Sequence, residues 1–285
     1  MKASLLIIWD YDAAIGQVNA SYPYKFDEKK IFDEIENVEY LLKLGTKLNI
    51  QMTFACTGFA GEPGVFPYHV PHQIARIHDA GHEVASHSWR HEWFPFLERE
   101  QIVRSLTRSK ETLEKCIGKP HSVCGFVPPF SRPMSWYSRG VLSFGDRAFR
   151  PGHPGASLGS LLTIAEQVGY SWVRVVYSPI LRKVFGSDGV ALRDAWRRNG
   201  KVVCVPQHYN GFDERARQLL DQAVAESGVL VITGHPSGLS RLKEENVQHV
   251  NTFLEYAARL QSERKLEISS VQRYLVGTER RELAN

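Results

Sequence analysis

Seven or eight short apolar runs rich in β-branched residues recur along the chain, and each is apolar almost continuously instead of in alternation. A strand with one wet face alternates apolar and polar residues, so continuous runs predict strands covered on both faces. The runs are Ser4 to Trp9, Gln51 to Cys56, Glu83 to Ser86, Ser122 to Val127, Trp172 to Tyr177, Val202 to Pro206, Val229 to Thr233 and Leu266 to Ser270. Between them, Glu28 to Leu48 places Ile31, Ile35, Val38, Leu41 and Leu42 on one helical face. Glu98 to Ile117, Leu161 to Val168, Glu214 to Ala225 and Asn246 to Leu260 show the same spacing. Strands alternating with helices predict an α/β fold around a parallel sheet. Two stretches rich in Gly and Pro, Gly58 to Pro71 and Phe144 to Ala156, read as long loops. No internal repeat or linker divides the chain, so residues 1–285 are expected to form one domain.

Composition narrows the partners. The net charge of +4 arises from 35 basic and 31 acidic residues spread through the sequence, which offers nucleic acid little. No stretch approaches the roughly 20 apolar residues that span a bilayer. The N-terminal run MKASLLIIWDYD has no cleavage site behind it and reads as a strand, so a cytoplasmic location is expected. Cys56, Cys116, Cys124 and Cys204 show no CxxC spacing and are read as buried free thiols.

In a βα barrel the chemistry gathers at the carboxyl ends of the strands. There the polar residues collect: Asp10, Tyr11 and Asp12; His87 to His91; His208, Tyr209 and Asn210; Gly234 and His235. The two-residue spacing puts Asp10 and Asp12 on one side of an extended segment, where two carboxylates repel unless a metal, an arginine or a proton intervenes. His87 and His91 stand four apart; if the chain turns helical there, their side chains project about 5–6 Å apart from one face. Imidazole plus carboxylate suits zinc or a related divalent ion. Asp12, His87 and His91 are the candidate ligands, with Asp10 placed to take a proton from the attacking water and His235 to protonate a leaving nitrogen. Such an ion lowers the pKa of a coordinated water towards about 7.

These residues together resemble the polysaccharide deacetylases, the NodB-homology or carbohydrate esterase family four enzymes. The paired-aspartate motif matches Trp9-Asp10-Tyr11-Asp12, the HSxxH motif matches His87-Ser88-Trp89-Arg90-His91 behind the lead-in Ala80 to Ser86, and the last motif matches Val231 to Pro236. The resemblance implies a single-domain distorted (β/α)7-8 barrel. It also implies Asp10 as general base, Asp12, His87 and His91 as metal ligands, and His235 as general acid. The RxPY motif is met only by Val127-Pro128-Pro129-Phe130. Phe130 would contribute its backbone N–H to an oxyanion, and Val127 stands where the family has the arginine that orients the base. Arg174, which interrupts an apolar strand, or Arg132 is expected to supply that guanidinium, because a buried arginine needs a carboxylate.

His208, Tyr209 and Asn210 are candidate substrate-cleft residues, and Trp89, Trp93, Trp136 and Tyr137 either stack on a sugar or pack under loops. The glycines of Gly152 to Gly159 do not follow a strand as a phosphate-binding loop would. The expected activity is metal-dependent removal of an N-acetyl group from an amino sugar in surface-polysaccharide or glycan-precursor metabolism. A deformylase, a hydrolase of small cyclic amides and an inactive carbohydrate-binding relative are the alternatives. The sequence sets neither the sugar nor the oligomeric state.

Overall fold

The computed structural model describes residues 2–20, 27–94, 97–131, 157–175, 192, 196–239 and 246–283. Strand β1 (Ala3–Tyr11) is buried along its whole length and lies inside a curled sheet. The others are β2 (Thr53–Cys56), β3 (Glu83–Ser86), β4 (Gly125–Phe126), β5 (Trp172–Val175), β6 (Arg198–Asn199), β7 (Val202–Pro206), β8 (Tyr209–Asn210), β9 (Val229–Gly234) and β10 (Leu266–Ser269). The order is β6-β7-β5-β4-β3-β2-β1-β9-β8, with β10 paired to the first half of β1. Every ladder is parallel except β6 with β7. The fold is the distorted α/β barrel expected from the motifs.

Helices α1 (Ala13–Ala20), α2 (Glu28–Leu48), α3 (Pro71–Asp79), α4 (Arg99–Cys116), α5 (Leu158–Val168), α6 (Glu214–Glu226), α7 (Val247–Ser262) and α8 (Val271–Leu283) complete the described elements. Local chemistry sets their ends. The Asp27 side chain accepts from the Lys29 N–H at the start of α2, and Glu98 with Gln101 forms a reciprocal capping box on α4. Asp213 and Asn246 cap α6 and α7 in the same manner as Asp27. No described helix is long and apolar enough to cross a membrane.

Side-chain parity divides the core. Leu5, Ile7, Trp9 and Tyr11 of β1 join Phe54, Val84 and Val173 in the layer under the helices. Leu6, Ile8, Ala55, Ala85, Trp172, Val203, Val205 and Val231 pack on the opposite face, with Val271 and Leu275 of α8 among them. Each fully buried aliphatic side chain contributes about 1.5–3 kcal/mol. The period of two then carries the inner face upward. Asp10 follows Ile8, His87 follows Ala85, Arg174 follows Trp172, and His235 lies four beyond Val231. At the other end of that face, Glu83 accepts from Thr53 Oγ1 (2.8 Å), Trp172 Nε1 (3.0 Å) and the Gln272 N–H of α8 (3.0 Å). Polar groups thus occupy both ends of an apolar axis.

Some expectations need correction. Ser122 to Val127 yields only the two-residue β4, because Val123 turns its backbone to α4: its N–H reaches Glu114 Oε1 and its carbonyl takes Lys110 Nζ. Helices α1, α3 and α8 are additions, too short or too sparsely apolar for periodicity to show. The Gly58 to Pro71 stretch contains a 3-10 turn, Gly58–Gly61, and runs into α3. The Phe144 to Ala156 stretch and all but Ser157, Leu158 and Gly159 of the Gly152 to Gly159 group lie outside the described residues. The four cysteines are free, but Cys116 and Cys124 are half-buried where buried thiols were expected.

Candidate active site

Asp10 and Asp12 leave the end of β1 with different partners. Arg174 reaches across from β5 and closes two parallel hydrogen bonds on Asp10, Nη1 to Oδ1 at 2.6 Å and Nη2 to Oδ2 at 2.7 Å. Both side chains are almost wholly buried. The guanidinium that the Val127 position lacks therefore arrives from the next strand in the sheet, in the planar bidentate geometry only arginine provides. Burial by itself would raise the Asp10 carboxyl; Arg174, with His87 and His235, outweighs it and holds the group below the usual carboxylate range. His235, 33% exposed at the end of β9, approaches Asp10 Oδ2 with its Nε2 at 3.7 Å.

Asp12 faces the histidines. Its Oδ1 lies 3.3 Å from Nε2 of His87 and 3.3 Å from Nε2 of His91, and all three residues are buried. The His87 Nδ1 is 2.7 Å from the Val127 carbonyl, which can only accept, so Nδ1 carries the proton. On a ring protonated at Nδ1 alone, Nε2 points a lone pair at a carboxylate oxygen. Neither His87 Nε2 nor Asp12 Oδ1 has a hydrogen-bond partner. Two acceptors facing each other in a buried pocket repel, and a divalent cation relieves both. The donor set fits such an ion.

The histidine pair is not held by a helix, as the four-residue spacing allowed. Ser88 (φ 69°) and His91 (φ 60°) are both left-handed and the segment is a compact turn whose imidazole centroids lie 4.9 Å apart. Helix α4 clamps it: Ser109 Oγ donates to the Ser88 carbonyl (3.0 Å) and meets Ser86 Oγ (2.7 Å), while Ser105 Oγ accepts from the Trp89 N–H (3.1 Å). Ala13 (φ 54°) and Phe130 (φ 68°) are left-handed as well, so four of the eight non-glycine residues with positive φ among the described residues border this cleft. Such backbone costs about 1–3 kcal/mol per residue and clusters at functional sites. The Phe130 ring stands edge-on to His91 at 4.4 Å and to Trp93 at 5.1 Å.

Other candidates sit elsewhere. His208 has its Nδ1 on the Val231 N–H (2.9 Å), Tyr209 donates to Asp213 (2.8 Å), and Asn210 accepts from Thr233 Oγ1 (3.0 Å). These bonds brace β9 and the start of α6 and do not join the cluster. Trp89 is buried under Arg108 (4.0 Å) and edge-on to Phe59 (5.8 Å), which makes it packing and not a sugar platform. Arg132, Trp136 and Tyr137 lie outside the described residues.

Three contributors escaped the sequence reading. Gly16 of α1 packs so close that a Cβ there would stand 2.7 Å from the Asp12 Cβ. Gln17 Nε2 lies 3.4 Å from Asp12 Oδ2. Glu34 of α2 is wholly buried, and burial first, then the Asp12 charge, push its carboxyl well above the ordinary value. One signal was present: Glu34 sits three residues after Ile31 and four before Val38, on the helix's apolar stripe. With Glu34 driven towards its neutral form, Arg174 balances Asp10 and the Asp12 carboxylate is the charge that faces the histidines.

Residues 25–143, which include His87, His91 and Phe130, match the family model described as polysaccharide deacetylase. That segment is less than half of the chain, and its likeness is to the polysaccharide deacetylases of the NodB-homology type. Among solved structures it resembles a protein assigned as a polysaccharide deacetylase from Mycobacterium smegmatis, at 16% identity and TM-score 0.69, over 99% of this chain and 92% of that one. It also resembles the Puue allantoinase, at 15% identity and TM-score 0.65, over 94% and 87%. A protein assigned as a polysaccharide deacetylase from Pseudomonas aeruginosa follows at 14% identity and TM-score 0.61, over 94% and 88%. No curated protein matches the chain in sequence. For a polysaccharide deacetylase-like chain the departure lies at Val127, and the Arg174 pair stands in its place.

Proposed function

We propose that this chain is a zinc-dependent amide hydrolase of the polysaccharide deacetylase type that removes an N-acyl group, foremost the N-acetyl group of an amino sugar in a glycan or glycan precursor. The observation that carries the reading is the pair of facing acceptors, His87 Nε2 and Asp12 Oδ1, left buried without hydrogen-bond partners. Asp12, His87 and His91 would hold the ion, which when bound supplies a Lewis acid and a water acidic enough to attack at neutral pH. Asp10, ionised and fixed by Arg174, is the proton acceptor. His235 is half-open to the cleft and delivers a proton to the departing nitrogen. Its contact with Asp10 allows the proton taken by one to be returned through the other.

A small cyclic amide is the second substrate class. The spaced Asp10-Tyr11-Asp12 motif and the likeness to a structure named as an allantoinase favour it. The test is hydrolysis by zinc-loaded protein of N-acetyl amino sugars, N-formyl amino sugars and cyclic ureides, alongside Asp10→Asn. Turnover of an acetylated sugar that falls at least 100-fold in Asp10→Asn with zinc retained is expected. Wild-type protein that binds no divalent metal would falsify the reading.

A further inference from the structure

A second concave surface lies at the amino ends of the strands, opposite the Asp12 cluster. A groove of about 470 Å³ runs between the start of β3, the segment after α4, β10 and one side of α8. That volume falls in the range that holds small molecules. Val84, Ile117 and Val276 give it apolar ground. Gly81, left-handed at φ 83°, keeps one wall open, since a Cβ there would meet only Gln51 Nε2, at 3.7 Å. Charge in the groove is one-sided. Over the whole chain basic residues barely exceed acidic ones, 35 against 31. Here Lys119, Arg273 and Arg280 stand against a single outward acid, Glu267. Glu83 also lines the groove, but its carboxylate is spent inward on Thr53 Oγ1, Trp172 Nε1 and the Gln272 N–H, and burial raises it towards the neutral form. Concave walls focus the field that remains.

The cations are available. Lys119 and Arg280 are exposed, and their side chains pair with no described residue. Arg273 is braced on one side, its Nη1 donating to Gln51 Oε1 at 2.7 Å, which orients the guanidinium and leaves its other N–H groups to the groove. His78, at the end of α3, lines the same space with an Nδ1 that has no hydrogen-bond partner among the described residues. We propose that this groove binds a small phosphate monoester, with the phosphoryl group among Lys119, Arg273 and Arg280 and the organic body on Val84, Ile117 and Val276. Charge selects the anion. The three cations less Glu267 leave two positive charges, and a phosphate monoester carries about −1.5 to −2 at pH 7. A carboxylate brings only one, and the planar fork of arginine matches phosphate oxygens two at a time.

The experiment is calorimetric titration of glucose 6-phosphate into the wild type, Lys119→Gln and Arg280→Gln, with and without a zinc chelator. Glucose is titrated alongside at equal ionic strength. Arg215→Gln is the control, because Arg215 is exposed on α6, bonded to Gln218, and lies outside the groove. Loss of a charge-assisted hydrogen bond weakens binding about 10–100-fold, and that is the expected result in Lys119→Gln and Arg280→Gln. The control and the chelator-treated wild type should bind as before, and glucose should not bind. If one groove variant fails to fold, the other decides by itself. No binding to the wild type overturns the proposal, as does unchanged binding in both groove variants, equal weakening in Arg215→Gln, or glucose bound as tightly as its phosphate. Binding that vanishes with the chelator also overturns it, since the phosphate would then sit on the metal. The groove and the Asp12 cluster occupy opposite ends of the sheet, so a failure to bind zinc leaves this proposal standing.

Discussion

Arg174 and Asp10 show how one residue decides whether a site can work. A carboxylate as buried as Asp10 is driven towards its neutral form by desolvation, and only the bidentate guanidinium, helped by His87 and His235, reverses the sign. Replacing Arg174 by Gln removes the largest opposing charge, so the Asp10 carboxyl titrates higher than in the wild type. Since the base must be ionised, the acid limb of the kcat/KM profile is expected to move to higher pH in Arg174→Gln, measurable with the hydrolysis assay. The unpaired buried carboxylate also lowers stability by about 3–5 kcal/mol. Arg174 was legible in the sequence because a charge interrupted an apolar strand. Glu34 was equally legible in principle, as an acid on an apolar helix stripe, but a lone carboxylate gives no hint of which charges will surround it.

At the scale of elements, β3 and the turn behind it carry two of the proposed metal ligands, and α4 holds that turn in place. Ser109 closes two hydrogen bonds inside it, to Ser86 and to the Ser88 carbonyl. Ser109→Ala leaves a buried carbonyl and hydroxyl with less to bond, which costs about 1–3 kcal/mol. Urea unfolding should show that loss, and zinc titration should show weakened binding because His87 and His91 flank Ser88; unchanged values in both would mean α4 does not clamp the turn. The boundaries of β3, β7 and α2 matched the sequence expectation because apolar pattern and capping residues agree there. The turn's left-handed Ser88 and His91 did not show, since nothing in HSWRH distinguishes a compact turn from the start of a helix. Strand β4 shrank for a related reason: an apolar run says that a segment is buried, not which groups will satisfy its backbone.

Across the whole molecule, Asp12 arrives from β1 and both histidines from the turn after β3, so the three proposed ligands converge only in the folded state. An ion that binds the native state alone adds stability by mass action, about 2.7 kcal/mol when free zinc is 100 times its Kd. For a chain of this size that corresponds to a melting temperature higher by roughly 5 °C. Thermal unfolding with zinc and with a chelator is the measurement, and coincident curves would exclude a native-state metal site.

The sequence by itself determined the alternation of strands and helices, the covered sheet, and the Asp10, Asp12, His87, His91 and His235 positions, since each rests on local periodicity or on motif spacing. In the fold, strand parity puts Asp10, His87 and Arg174 on the face that carries Ile8, Ala85 and Trp172. Only the tertiary structure decided the rest: that Arg174 pairs with Asp10, that Val127 contributes its carbonyl to His87, and that Gln17 meets Asp12. These contacts join residues 164, 40 and 5 positions apart in the first two cases and in the Gln17 to Asp12 contact. Their energies depend on burial and on opposing charges brought close by the curl of the sheet and by a helix packed against its end, and no local pattern encodes that distance.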